Sequence, residues 1–155
     1  MNGAGEAQGR QAAAENNASA TARSHQEMTA ALLIGATLWC LAILAAPVLH
    51  LPLVYAFFSR ICHQDPSRSW RFFGEPLPVC IRCASIYFAF TISLWVGLKP
   101  NARWLRASLA IMAAEFIIAR TVLDAGLLRS LSGVLVGLSA APFVRQGVEE
   151  LRDVV

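Results

Sequence analysis

After a polar stretch of 28 residues, the chain alternates between long apolar runs and short polar connections. The first run, residues 29–50, is uncharged. At 1.5 Å per residue a helix of that length reaches across a hydrocarbon core of about 30 Å. Three further runs cover residues 83–98, 105–123 and 130–145. The second and fourth are short and end on Arg82 and Lys99, and on Arg129 and Arg145. Such flanking cations extend a short span by lifting their charged heads to the interface. The pattern predicts an all-α integral membrane protein of about four transmembrane helices occupying residues 29–148. Residues 60–82 form a Cys/His-containing loop between the first and second helices.

The ends read differently. Residues 1–28 hold few large apolar side chains, so they predict a disordered tail. They also lack a basic leader region, so the first apolar run is expected to stay as a helix. Residues 149–155 form a short charged C-terminal tail. Pro47 and Pro52 bend the chain after the first run, since proline removes a backbone donor and disfavours helix in the residue before it. Residues 51–61 then lie at the interface.

Composition supports the membrane class. Hydrophobic residues make up 56% and charged residues 15% of the 155 positions, with mean hydropathy +0.52, whereas a soluble domain carries about 25% charge. The net charge of +3 is spread singly between apolar runs, which speaks against nucleic acid. The expected surroundings are the lipid bilayer of a prokaryotic cell membrane, crossed several times, with a membrane protein as a further partner. Basic residues near the helix ends balance between the two sides, so they do not orient the chain.

Chemistry concentrates in the loop. Cys80 and Cys83 sit one turn apart at the start of a helix, where free backbone N–H groups, the helix dipole and Arg82 all favour thiolate. Cys62 and His63 lie a zinc-finger-like distance upstream and can complete a tetrahedral site of three thiolates and one imidazole. The metal expected is zinc, with iron as the alternative. The alternatives to a metal site are that the same cysteines are redox thiols or packing residues. Cys40, inside the first run, reads as a small core residue. Arg68, Arg71 and Arg82 are candidates for holding an anion or lipid headgroup, or serve as interfacial anchors. Glu115 lies at membrane depth in the third run, as an ion-pair partner for Arg120 or Arg129 or as a coupling group for transport. Asp124, four residues after Arg120, is expected to pair with it. Gly133 and Gly137 form a small-residue face for helix packing.

Cys62-His63-Gln64, Arg68-Ser69-Trp70 and Cys80-Ile81-Arg82-Cys83 with Ile86-Tyr87 resemble the signature of a family of small multi-spanning prokaryotic membrane proteins known only as a domain of unknown function. Its pattern runs C-H-Q, R-S-F, C-x-R-C-x-G-I-Y and R-x-x-T-G. Here Trp70 stands for the Phe, Ser85 for the glycine after the second cysteine, and Ser132 for the threonine before Gly133. The resemblance implies the membrane class and marks the loop as the site, and it implies no reaction. The leading expectation is a binding or accessory module, rather than an enzyme, whose loop is clamped by a structural metal. A membrane thiol–disulfide oxidoreductase using Cys80 and Cys83 is the first alternative, and a small transporter coupled through Glu115 the second.

Overall fold

The computed structural model describes residues 3–121 and 126–153, and the backbone there is mainly helical. Helix α1 spans Gly3–Val48, α2 Pro52–Phe58, α3 Ile81–Val96, α4 Ala102–Thr121 and α5 Gly126–Asp153. A two-stranded antiparallel ribbon, β1 (Arg71–Phe72) and β2 (Glu75–Pro76), lies in the loop before α3.

Several boundaries differ from the sequence pattern. Composition predicts disorder over residues 1–28, yet α1 begins at Gly3. That stretch is alanine-rich and free of proline. Alanine is the best helix former, and adding residues to an existing helix avoids the cost of a new nucleus. At the other end α5 continues through the expected tail to Asp153. Asp124, and so its expected pairing with Arg120, falls outside the described residues. Among the described residues two helical stretches, Gln26–Val48 and Gly126–Leu151, are long and apolar enough to cross a membrane. Helix α3 has 16 residues, about 24 Å of rise, and α4 carries Arg103, Arg106, Glu115 and Arg120. Neither therefore reaches the same standard, although the pattern predicts about four spans.

The end of α1 has a local cause. His50 takes φ +47°, and the Leu51 N–H donates to the Ala46 carbonyl at 3.1 Å. This is a Schellman closure with His50 in the left-handed position. Pro52 then starts α2 at a position where a missing N–H costs nothing. Between β1 and β2 a two-residue turn, Phe73 (φ +52°) and Gly74 (φ +88°), has both central residues left-handed, the geometry that matches strand twist in tight hairpins. Asn101 caps α4, its Oδ1 accepting from the Arg103 and Trp104 N–H groups at 3.0 and 3.4 Å.

Helix α3 is central: it packs most extensively on α5 and also against α1, while α4 covers α5. The α3–α5 contact is close because Gly133 and Gly137 have no side chain. A Cβ on Gly133 would lie 2.7 Å from the Arg82 carbonyl oxygen. One on Gly137 would lie 2.9 Å from both Ala89 Cβ and the Phe90 nitrogen. Serines stitch the seam. Ser85 and Ser130 hydroxyls meet at 3.0 Å, and Ser93 donates to the Leu138 carbonyl at 2.9 Å. The apolar core lies at the loop end, where Ile43, Phe58, Leu77, Val79 and Ala84 are buried with Cys62. Trp39 packs edge-on against Phe57, Phe58 and Tyr87 around it.

Gly137→Ala is expected to lower stability by about 1–3 kcal/mol, because the added methyl meets backbone that cannot move aside cheaply. Gly35→Ala, in the same kind of helix but with open space around it, is expected to be neutral or to stabilise by up to about 1 kcal/mol. Denaturation midpoints of the two variants in detergent check this, and equal losses would contradict a close α3–α5 seam.

Candidate metal centre and its arginine shell

The segment from Cys62 to Cys80 is held to the helices mainly by side-chain bonds to backbone carbonyls. Gln64, itself left-handed at φ +48°, donates through Nε2 to the Tyr55 carbonyl at 2.7 Å and to the Pro78 carbonyl at 2.8 Å. The Tyr55 hydroxyl donates to the Pro76 carbonyl at 2.7 Å, and the Leu77 N–H to the Trp70 carbonyl at 2.8 Å. Asp65 caps the short 3-10 turn Pro66–Arg68, accepting from the Ser67 hydroxyl at 2.6 Å and the Ser67 N–H at 3.0 Å. These bonds hold the Asp65 carboxyl below the usual carboxylate range.

The clamp brings three sulfurs together. The Sγ atoms of Cys62, Cys80 and Cys83 all lie within 4.8 Å of one another, a group that can hold a metal ion. Cys80 is the N-cap of α3, and its own N–H donates to Cys62 Sγ at 3.2 Å. The Cys80 thiol is lowered to about 5, first by a hydrogen bond from the Cys83 thiol. Burial opposes this, and the Cys83 N–H, Cys62 and the Arg82 N–H reinforce it. Cys62 is buried at 8% exposure, whereas Cys80 and Cys83 are partly open.

His63 is not part of this group. It is exposed, on the wall of a cleft of about 760 Å³ that opens over the sulfurs. The reason is steric: adjacent side chains diverge, and Cys62 takes the inward position. Cys40 is distant from the trio, its Sγ 3.2 Å from the Thr91 hydroxyl and 3.5 Å from the Tyr87 carbonyl that it meets as donor.

The arginines separate by role. Arg82 binds Glu115 at 2.5 Å (Nη2 to Oε2) and lies over the Phe116 ring at 5.6 Å. Arg129 approaches the other Glu115 oxygen at 3.8 Å, and the Ser132 hydroxyl donates to Oε2 at 3.3 Å. Glu115 and Arg129 are each 8% exposed, so one carboxylate ties α3, α4 and α5 together in a buried network. Arg68 pairs with Asp65 at 3.4 Å at the cleft mouth. Arg71 instead donates to the Gly74 carbonyl at 3.4 Å, on the exposed ribbon. Gly133 and Gly137 face α3 of the same chain.

Sequence reasoning gave Gln64 no role, although it sits inside the C-H-Q motif, and took Tyr55 as facing lipid headgroups, whereas its hydroxyl bonds the Pro76 carbonyl. An amide beside a Cys-His pair and ahead of an Asp-Pro turn is a polar group that a tight loop can use as a staple. The Arg82–Glu115 pair spans two helices, and nothing in the linear spacing points to it.

These features belong to a recognised class. A family described as "Predicted membrane protein (DUF2085)", a domain of unknown function, matches residues 62–143, more than half of the chain, and the chain belongs to that family. An uncharacterised protein of Methanocaldococcus jannaschii is 44% identical over 41 residues, 26% of this chain and 26% of its own length. An uncharacterised protein of Methanothermobacter thermautotrophicus is 48% identical over 44 residues, 28% of this chain and 40% of its own. The chain thus matches well under half the length of either relative. No solved structure matches it.

Gln64→Ala is expected to cost about 2 kcal/mol, since two carbonyls lose their donor at once. Glu115→Ala is expected to cost about 3–5 kcal/mol, because it leaves buried guanidiniums without their shared carboxylate. Chemical denaturation of both variants checks this. A Glu115→Ala loss smaller than that of Gln64→Ala would mean that the network is hydrated.

Proposed function

We propose that this protein is a small membrane-embedded binding or accessory module whose loop, residues 60–82, is clamped to the helix bundle by a metal ion on Cys62, Cys80 and Cys83. Helices α1, α3, α4 and α5 are the proposed membrane crossings, with α3 and α4 completed by their flanking cations. One observation carries the reading: three sulfurs from segments 18 residues apart converge at the N-terminus of α3. Soft thiolates select zinc or iron over magnesium or calcium, and zinc is the ion proposed first. A bound ion neutralises thiolates that the core would otherwise have to hold apart, and it fixes the loop that Gln64 already staples. His63 lies outside the sulfur group but lines the same cleft, and it is the protein side chain proposed as a fourth ligand.

The metal reading is tested on detergent-purified protein by elemental analysis. About one zinc or iron per chain is expected for the wild type, with near-complete loss in Cys62→Ser and Cys80→Ser and retention in Cys40→Ser. Wild type without stoichiometric metal, or unchanged content in Cys62→Ser, would sink it.

A second reading draws on the depressed thiol of Cys80. As a thiolate beside Cys83 it can attack a substrate disulfide, forming a mixed disulfide and releasing one substrate thiolate. Cys83 then displaces the second, leaving a Cys80–Cys83 disulfide and a reduced substrate. Thiol trapping in cells separates the readings: a mixture of oxidised and reduced pairs favours exchange, and uniformly metal-protected thiols favour the clamp. Transport coupled through Glu115 draws no support from the geometry, because that carboxylate is already engaged with Arg82 and Arg129.

A further inference from the structure

We infer that the tip of the β1–β2 ribbon is a lipid-binding wedge, with Phe72 and Phe73 inserted into the face of the bilayer that α1 leaves at Val48. Trp70, Phe72 and Phe73 are all exposed, the first two at 38% and Phe73 at 81%. The Phe73 ring meets that of Phe72 edge-on, with 4.7 Å between centroids. Beyond them the tip stands clear of the chain, since a Cβ on Gly74 would find no atom within 4 Å. Folding gives no reason for an aromatic residue there. Phe73 has φ +52° at the first central position of a two-residue hairpin, where asparagine or glycine is favoured and a bulky side chain is an outlier. An exposed ring kept at an unfavourable backbone position points to a contact outside the chain.

The partner follows from where the ribbon lies. Both strands lie against α1, whose stretch Gln26–Val48 is long and apolar enough to cross a membrane. At the base of the ribbon Leu77 enters the core beside Ile43, in the last turns of α1. The Tyr55 hydroxyl on the Pro76 carbonyl ties the second strand to α2. On α2, Leu53 and Phe57 are exposed one turn apart, and Leu49 precedes them at the same spacing. The exposed apolar surface of α1, with Leu38, Leu41 and Val48, therefore continues through Leu49 onto the helix that holds the ribbon. Arg71 is exposed beside the tip, where a guanidinium meets headgroups while the rings pass below them. Two rings and a turn fall well short of the roughly 800 Å² per partner that a stable protein interface buries, whereas a bilayer needs only that the rings reach it. The wedge rests on the proposed membrane crossing by α1 and needs no metal on the sulfurs.

Full-length protein carrying the photoreactive residue p-benzoylphenylalanine in place of Phe73 is reconstituted in vesicles of phosphatidylcholine and phosphatidylglycerol, irradiated and examined by mass spectrometry. The same group in place of Leu38, exposed on α1 within the crossing stretch, is the reference. Lipid adducts at both positions are expected. Adducts at position 38 with none at position 73 overturn the wedge and leave the crossing standing, whereas adducts at neither overturn both. A cross-link from position 73 to a second copy of the chain, in place of lipid, also overturns the wedge. Thermal unfolding of Phe73→Asn in detergent gives an independent readout. Its midpoint is expected to equal or exceed that of the wild type, because Asn-Gly suits this turn. A lowered midpoint would show that the ring supports the fold, and would overturn its assignment to lipid. Neither readout depends on zinc or iron, so protein without metal removes the clamp and leaves the wedge to be judged by its adducts.

Discussion

The close approach of α3 and α5 is the constraint on which the rest of the structure depends. Gly133 and Gly137 let the backbone of α5 lie against the Arg82, Ile86 and Phe90 region of α3. Helices surrounded by lipid gain nothing from apolar attraction to one another, so association rests on packing and on polar contacts between backbones brought near. That proximity makes the Ser85–Ser130 and Ser93–Leu138 bonds possible. It also sets the N-terminus of α3, with Cys80 and Cys83, at the height of Arg129 on α5, so that sulfurs and guanidinium line one cavity. Ser85, where the family pattern has a glycine, fits because the space is vacated by Gly133 on the facing helix, its Cβ direction ending 3.0 Å from Ser85 Cβ.

The polar residues at depth follow from the same economy. Ser85, Ser93, Ser108, Ser132, Glu115 and Arg129 are buried, and each hydroxyl has a helix carbonyl, a second hydroxyl or a carboxylate to bond. The ionic group is the costly member. Two guanidiniums from α3 and α5 share the one carboxylate of α4. A buried pair of this kind contributes little net stability against an apolar substitute of similar shape. What it does is fix α4 in one rotation against α3 and α5.

Much of this was legible in the chain. The apolar runs mark the long helices, because 3.6-residue turns need no partner sequence to satisfy their own backbone. The Cys-x-x-Cys pair at a proline-led helix start marks the site, because the free N–H groups there act on sulfur wherever the helix leads. Gly133 and Gly137 mark a packing face by spacing alone. What did not show was whatever needed a third dimension. Cys62 and His63 are neighbours in sequence, and only the fold decides that the thiol points inward and the imidazole outward. The left-handed turns at Gln64 and Phe73 place ordinary residues in positions that favour glycine or asparagine, so composition gave no sign of the staple or of the hairpin. Helix from Gly3 was missed because disorder is judged from apolar content, while a helix already nucleated downstream needs only alanine and the absence of proline.

The site joins these levels. A loop of small folded pieces, a 3-10 turn and a two-stranded ribbon, buries too little surface to hold itself, and its few apolar anchors, Leu77 and Val79, reach the core only at its far end. Gln64 ties its start to its end through two carbonyls. The sulfur group spans the same gap one layer deeper. The two ties cross one gap, and they differ in what can undo them. The amide bonds answer only to unfolding, whereas three clustered thiols can hold a metal ion and are open to oxidation. The arginines of α3 and α5 line that same cleft, so it lies against the loop and the helix seam together.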